Sequence, residues 1–75
     1  MPRTPVLKAS ALLHALEACG FAAVRQRGSH VRLAHPDGRM VTVPLHAQQD
    51  ISRGLLRKIL RDADLSLDDL LHLLG

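Results

Sequence analysis

Aromatic and cysteine residues are almost absent from this sequence of 75 residues. Phe21 is the one aromatic residue among Phe, Tyr and Trp, and Cys19 is the one cysteine. A single cysteine excludes an internal disulfide and a zinc site built on several cysteines, so stability must come from packing of aliphatic side chains. Because single-strand RNA readers usually stack bases on exposed rings, strong stacking on aromatic side chains is not expected here.

Long apolar runs are lacking as well. None approaches the ~20 residues needed to span a membrane, and residues 1–5 do not resemble the apolar core of a secretory signal. We therefore expect a soluble, cytoplasmic protein with no membrane partner. The short chain excludes a two-domain enzyme and predicts one domain over residues 1–75.

Basic charge, in contrast, is abundant and concentrated in the middle of the chain. Residues 1–24 carry two basic and one acidic side chain, for +1; residues 25–61 carry eight and two, for +6; residues 62–75 carry four aspartates, for −4. A concentrated basic segment indicates a surface for a polyanion, most commonly nucleic acid, and the alternative is ordinary solvated surface charge.

The spacing of apolar residues predicts the order α-β-β-β-α-α. A helix over residues 9–19 ends at Gly20, where a left-handed cap is expected. Residues 21–27, 30–35 and 39–44 alternate as strands do, and the turn sequence at residues 36–38 separates the second from the third.

Two further helices follow the strands. One includes residues 55–63 with Ser52 as its N-cap, and a short final helix over residues 67–74 begins with a capping box formed by Ser66 and Asp69. Connections this short predict an α+β fold, with a three-stranded antiparallel sheet and helices on one of its faces.

The second strand begins with Gly28, Ser29 and His30. The glycine permits a tight turn, the serine supplies a small donor and acceptor, and the imidazole is held on a strand. By alternation His30 shares the polar face with Arg32, while Val31 and its neighbour at position 33 point to the core. His30 is therefore the candidate catalytic residue.

A histidine beside arginines suits metal-free cleavage of RNA. Histidine readily exchanges a proton near neutral pH, and RNA supplies its own nucleophile in the ribose 2′-hydroxyl, while cations stabilise the developing phosphorane. Asp37 lies in a turn, Asp50 in a connection and the other aspartates near the C-terminal end, so no magnesium site and no other cofactor is expected. The alternative is that His30 is an exposed histidine on a strand and has no functional role.

Two other histidines are candidates for the general acid. His35 precedes the turn and could simply shape it, whereas His46 would approach His30 if the connection after the third strand folds back over the sheet. A zinc site formed by His30, His35 and His46 is not favoured, because it lacks a cysteine pair and short ligand spacing.

RNA binding is expected to rest on phosphate and 2′-hydroxyl contacts. The candidate RNA-binding residues surround the start of the second strand and are Arg25, Arg27, Gly28, Ser29 and Arg32. The basic outer face of the second helix is a less favoured candidate for RNA binding. It comprises Arg53, Arg57, Lys58 and Arg61.

Several segments follow one another as in a known family. They are residues 18–21 (ACGF), 25–30 (RQRGSH), 35–39 (HPDGR), 41–46 (VTVPLH) and 54–60 (GLLRKIL). In this order they resemble the HicA-type mRNA interferase toxins over nearly the whole chain.

The resemblance implies a fold similar to the double-stranded-RNA-binding domain and ribosome-independent cleavage of mRNA. It also implies that His30, which matches the histidine of the family's Gly-Ser-His motif, is catalytic, and that a HicB-type antitoxin binds and blocks the toxin. We expect the antitoxin to cover the face of His30 and Arg32 with acidic or aromatic groups. Two alternatives remain: a non-catalytic RNA-binding module, and an interaction protein whose basic face docks an acidic partner.

Overall fold

The computed structural model describes residues 6–45 and 50–74. In chain order the elements are β1 (Leu7–Lys8), α1 (Ala9–Ala18), β2 (Ala22–Arg27), β3 (His30–Ala34), β4 (Met40–Pro44), β5 (Asp50–Ile51), α2 (Arg53–Asp62) and α3 (Leu67–Leu74). The predicted α+β fold is confirmed, with α1 and β2 to β4 within one residue of their expected ends. None of the described helices has the length and apolar character that crossing a membrane requires.

Strands β2, β3 and β4 form an antiparallel sheet in that order. Two residues, Gly28 and Ser29, connect β2 to β3, and Gly28 has a φ of +58°, in the left-handed region that glycine enters without strain. The turn between β3 and β4 is closed by a hydrogen bond from the Gly38 N–H to the His35 carbonyl. Such short connections allow only antiparallel neighbours.

Side chains alternate between the two faces of β3 and β4. Val31, Leu33, Val41 and Val43 are buried, whereas the residues that alternate with them are exposed: His30, Arg32, Met40 and Thr42. Helices α1 and α2 both contact β4 on the apolar side. The opposite face of the sheet is therefore open to solvent, as the alternation predicted.

The core is built from aliphatic side chains and Phe21. No polar or charged residue within the described ranges is buried, and the large side chains at its centre are Leu12, Leu16, Leu33, Leu56, Ile59 and Leu70. A pairing absent from the sequence-based prediction adds to this core: β1 and β5 form a short antiparallel ladder that brings Leu7 opposite Ile51.

The predicted N-caps lie at the starts of α2 and α3. The Leu55 N–H donates to Ser52 Oγ over 3.2 Å at the start of α2. At α3 the Asp69 N–H donates to Ser66 Oγ (3.0 Å) and the Ser66 N–H donates to Asp69 Oδ2 (2.9 Å), which is the reciprocal pattern of a capping box. Hydrogen bonds with Ser66 lower the pKa of the Asp69 carboxyl. The bond with the Ser66 backbone has the larger effect, and the bond with the Ser66 side chain the smaller one.

Candidate nucleic-acid interface

A shallow depression of about 200 Å³ lies on the open face of the sheet. We call it the basic depression; its lining residues are Arg25, Arg27, His30, Arg32 and Thr42. Four of the five were singled out from the sequence, and the structure brings all four together. Thr42 was missed, although its place between the buried Val41 and Val43 put it on the same face as Arg32.

A bulge in β2 turns its arginines toward His30. The register shifts between Ala23 and Arg25, so that Arg25 lies opposite Arg32 and Arg27 opposite His30. Directly opposed residues of an antiparallel pair point to the same face. Had the pairing of Ala23 with Leu33 continued without the extra residue, both arginines would point to the opposite face.

Two positive side chains of the basic depression, those of Arg25 and Arg32, lie directly opposite each other. Within residues 6–45 and 50–74 the ion pairs are His35 with Asp37, Arg39 with Asp37, and Lys58 with Asp62, and none of them involves a lining residue. Like charges directly opposed on a sheet are destabilising. An arrangement that breaks this local rule is typical of a functional site, and here it favours binding of a polyanion.

Arg32 is held across β4 by side chains of that strand. Its Nη1 donates to Thr42 Oγ1 (3.4 Å) and its Nη2 to Met40 Sδ (3.6 Å), a weak acceptor. The guanidinium is thus held beside β4, and the residue remains exposed in the depression that His30 also lines. Thr42 is therefore a support for Arg32 as well as a lining residue.

Gly28 and Ser29 form the turn that positions His30 and are not lining residues of the depression. Gln26 Nε2 donates to the Gly28 carbonyl (3.3 Å), and the Leu45 N–H donates to the Ser29 carbonyl. These bonds attach the turn to β2 and to the residue that follows β4. His30, at the start of β3, is held from both neighbouring strands.

The structure does not bring His35 to the basic depression. It follows the last residue of β3, roughly 16 Å from His30 at about 3.3 Å per residue. Its Nε2 lies 3.1 Å from the Cys19 carbonyl, and its ring packs against Phe21 with the ring centroids 5.2 Å apart. Its Nδ1 lies 3.2 Å from the Asp37 N–H and 3.0 Å from Asp37 Oδ1.

Arg39 completes what we call the His35 cluster, which comprises Cys19, Phe21, His35, Asp37 and Arg39. Arg39 lies over the Phe21 ring, 5.2 Å from its centroid, and donates to Asp37 and to the Ala63 carbonyl. The bond from the Arg39 side chain, then that from its backbone N–H, lowers the pKa of Asp37, while the Asp37 carboxylate raises the pKa of Arg39. This cluster ties α1 and α2 to the turn after β3.

The remaining predicted residues lie elsewhere. His46 falls outside the described residues. The basic residues of α2 are exposed and do not line the depression; of these, Lys58 pairs with Asp62 over 2.9 Å. In the described part of the chain, no three His, Cys, Asp or Glu side chains come together as a metal site would require.

Comparison with protein families matches residues 9–65 to the family described as HicA toxin of bacterial toxin-antitoxin. The matched segment includes α1, the three-stranded sheet and α2, and ends before α3. No curated protein matches the chain. Because the family match covers well over half of the sequence and contains the whole basic depression, the chain belongs to the HicA toxin family of bacterial toxin-antitoxin systems.

Proposed function

We propose that this protein is an mRNA interferase: a metal-independent endoribonuclease that cleaves mRNA in the cytoplasm and arrests growth until an antitoxin neutralises it. The observation that carries the proposal is the basic depression, in which one exposed histidine lies among three arginines. Membership of the HicA toxin family supports it.

RNA contains the nucleophile that this reaction needs. His30 accepts the proton of a ribose 2′-hydroxyl, and the 2′-oxygen attacks the adjacent phosphorus. The bond from phosphorus to the 5′-oxygen breaks, and a proton is delivered to that oxygen as it leaves. The products are a 2′,3′-cyclic phosphate and a 5′-hydroxyl end, so no water, metal or cofactor is consumed.

Arg25, Arg27 and Arg32 bind the phosphates and stabilise the charge that develops on the phosphorane. Arg32 is already held by Thr42 and Met40, so less reorganisation is needed when the substrate binds. Gly28 and Ser29 contribute by placing His30 at the start of β3. We assign to their backbone groups contacts with the sugar-phosphate chain, which position RNA without reading its sequence.

A second proton-transfer group is part of the proposal. Both ring nitrogens of His35 are engaged by Cys19 and Asp37 in the His35 cluster. His35 is therefore not the general acid of this proposal. His46 stays the other histidine candidate and lies outside the described residues, and return of the proton by His30 itself is the alternative route.

Because the family is one of toxin-antitoxin pairs, an antitoxin partner is implied. We propose that it is of the HicB type and covers the face of His30 and Arg32 with acidic or aromatic groups. Both residues are exposed, so occlusion of this face alone is sufficient for inhibition. A complex in which His30 keeps its exposure would contradict this assignment.

Cleavage of a purified mRNA in the presence of EDTA tests the activity. The wild-type protein is expected to produce fragments with 2′,3′-cyclic phosphate ends, and His30→Ala none. The matched control is His14→Ala, a change at an exposed histidine of α1, which is expected to cleave normally. Loss of cleavage in EDTA would contradict the metal-free mechanism, and salt-sensitive binding without fragments would favour a non-catalytic RNA-binding module.

A further inference from the structure

The open face of the sheet changes character along the strands. Its basic half is the depression described above, and its other half is apolar, where Met40 is 41% exposed and lies opposite Ala34. Arg32 lies at the boundary, because its guanidinium donates both to Thr42 and to the sulfur of Met40. A planar cation therefore lies beside an exposed thioether on a solvent-facing sheet.

The two hydrogen bonds of Arg32 leave the faces of its guanidinium available. All N–H groups of a guanidinium lie in its plane, so bonds to Thr42 and Met40 occupy its edge. Guanidinium planes stack on nucleobases much as aromatic rings do. Phe21 is buried, so the planar groups on this face are those of the basic depression, namely His30 and the three arginines. Within the described part of the chain, Arg32 is the one among them whose edge is held by hydrogen bonds to other side chains.

From this arrangement we propose that Arg32 is the base-stacking platform of the site, held at its edge by Thr42 and Met40. A nucleobase of the bound RNA lies against the guanidinium, and its ribose and phosphate lie over His30, Arg25 and Arg27. The inference rests on the proposed function and adds a nucleobase subsite to it. Arg32 then has two roles, as a cation for phosphate and as a plane for a base.

The test measures binding without cleavage. Short RNAs of about eight nucleotides with 2′-O-methyl groups lack the free 2′-hydroxyl nucleophile, and fluorescence anisotropy gives their affinities. One RNA carries all its bases, and a second has abasic nucleotides at its centre with the same number of phosphates. The ratio of the two affinities reports stacking, because charge is equal in both.

We expect the wild-type protein to bind the complete RNA about tenfold more tightly than the abasic one. Arg32→Lys keeps the charge but loses the plane, and is expected to bring this ratio close to one. Thr42→Val keeps the shape of the side chain but removes the acceptor that holds Arg32, and is expected to lower the ratio in part. Arg27→Lys, the matched control, should weaken both RNAs by the same factor.

Two results would overturn the inference while leaving the proposed function in place. They are a wild-type ratio near one, and a ratio that Arg32→Lys leaves unchanged, since Arg32 would then act as a point charge only. Failure of the wild-type protein to bind either RNA at low salt would overturn both this inference and the proposed function. Circular dichroism of each variant confirms that the fold is retained.

Discussion

Histidine and arginine residues lie at both ends of β3, but their surroundings differ. At its start, the basic depression holds His30 with three arginines, all exposed and in no ion pair with any described residue. Just past its end, the His35 cluster holds a histidine and an arginine whose polar groups contact Asp37, Cys19 and Ala63. Residue type therefore does not decide the role of these side chains; the partners that surround them do.

The physical difference lies in where the charge is compensated. In the His35 cluster a carboxylate and two carbonyl groups supply acceptors within the protein, so the cluster stabilises the fold. In the basic depression no described carboxylate compensates the positive charge, so the same chemistry reduces stability in the free protein and favours binding of an anionic ligand.

The strongest test of this comparison replaces each of the two histidines, His30 and His35, with alanine. His30→Ala is expected to lower the cleavage rate by about 10²–10⁴-fold, the usual contribution of general acid-base catalysis, and to leave the free energy of unfolding within about 0.5 kcal/mol of wild type. Cleavage assays and chemical denaturation measure the two effects.

His35→Ala, the matched change, is expected to do the reverse. It loses contacts with Phe21, Cys19 and Asp37, which costs about 1–3 kcal/mol of stability, and the folded fraction should still cleave RNA. Loss of cleavage by folded His35→Ala would break the comparison and assign a catalytic role to His35.

Glycine substitutions sharpen the comparison at the level of the backbone. Gly20 has a φ of +109°, and a Cβ at this position would lie 2.7 Å from His35 Nε2, in a ring that is held by Phe21. Gly20→Ala is therefore expected to lower the free energy of unfolding by about 2–4 kcal/mol.

Gly28→Ala is the control for this change. Gly28 also has a positive φ, of +58°, but no atom lies near the position of its Cβ. The cost should be only the backbone strain, about 1–2 kcal/mol. Equal destabilisation in the two variants, measured by thermal unfolding, would show that contact with the His35 ring contributes nothing.

Salt dependence separates the arginines of the two regions. Arg27→Ala is expected to reduce the slope of the logarithm of RNA affinity against the logarithm of salt concentration by about 0.7, the value for one phosphate contact to a single strand. Arg39→Ala removes an arginine that Asp37 already pairs, and should leave the slope as in wild type. A reduced slope for Arg39→Ala would extend the RNA-binding surface to the His35 cluster.

The smallest effect is expected at Asp37 and depends on pH. Arg39 holds the pKa of this carboxyl below its ordinary value of 3.8, so the ionised form stabilises the folded state. That stabilisation is complete above pH 3.8 and is lost as the pH falls through the lower folded-state pKa. Asp37→Asn should therefore be less stable than wild type at neutral pH, and the difference should shrink in acid.

Denaturation curves of both proteins across the acidic range measure this effect. A difference that stays constant down to the lowest pH would mean that the charge of Asp37 adds nothing to its hydrogen bonds. RNA cleavage at neutral pH should be the same in both proteins, because the His35 cluster lies away from the basic depression.

Much of the fold could be predicted because its determinants are local. Ser52, Ser66 and Asp69 cap their helices through backbone groups no more than three residues away, and Gly20 ends α1 within one turn. The alternation of β3 and β4 correctly placed His30 and Arg32 on the open face. These features depend on periodicity and on short-range hydrogen bonds, which a sequence displays directly.

The features that were not predicted depend on contacts between distant residues. The ladder pairs Leu7 with Ile51, more than forty residues further along the chain, and no local pattern in two-residue strands predicts it. Likewise, His35 precedes a turn in the sequence, but its contact with Cys19 across 16 residues makes it a link between α1 and the sheet.

The sequence by itself determined the order of the elements, the polar face of β3 and the candidate residues Arg25, Arg27, His30 and Arg32. Only the tertiary structure decided that they line one depression. Strict alternation from Ala23 would have turned Arg25 and Arg27 away from His30, and the bulge in β2 reverses that assignment. The reason is that a one-residue shift in strand pairing exchanges the two faces, and pairing is settled by the whole sheet and its core.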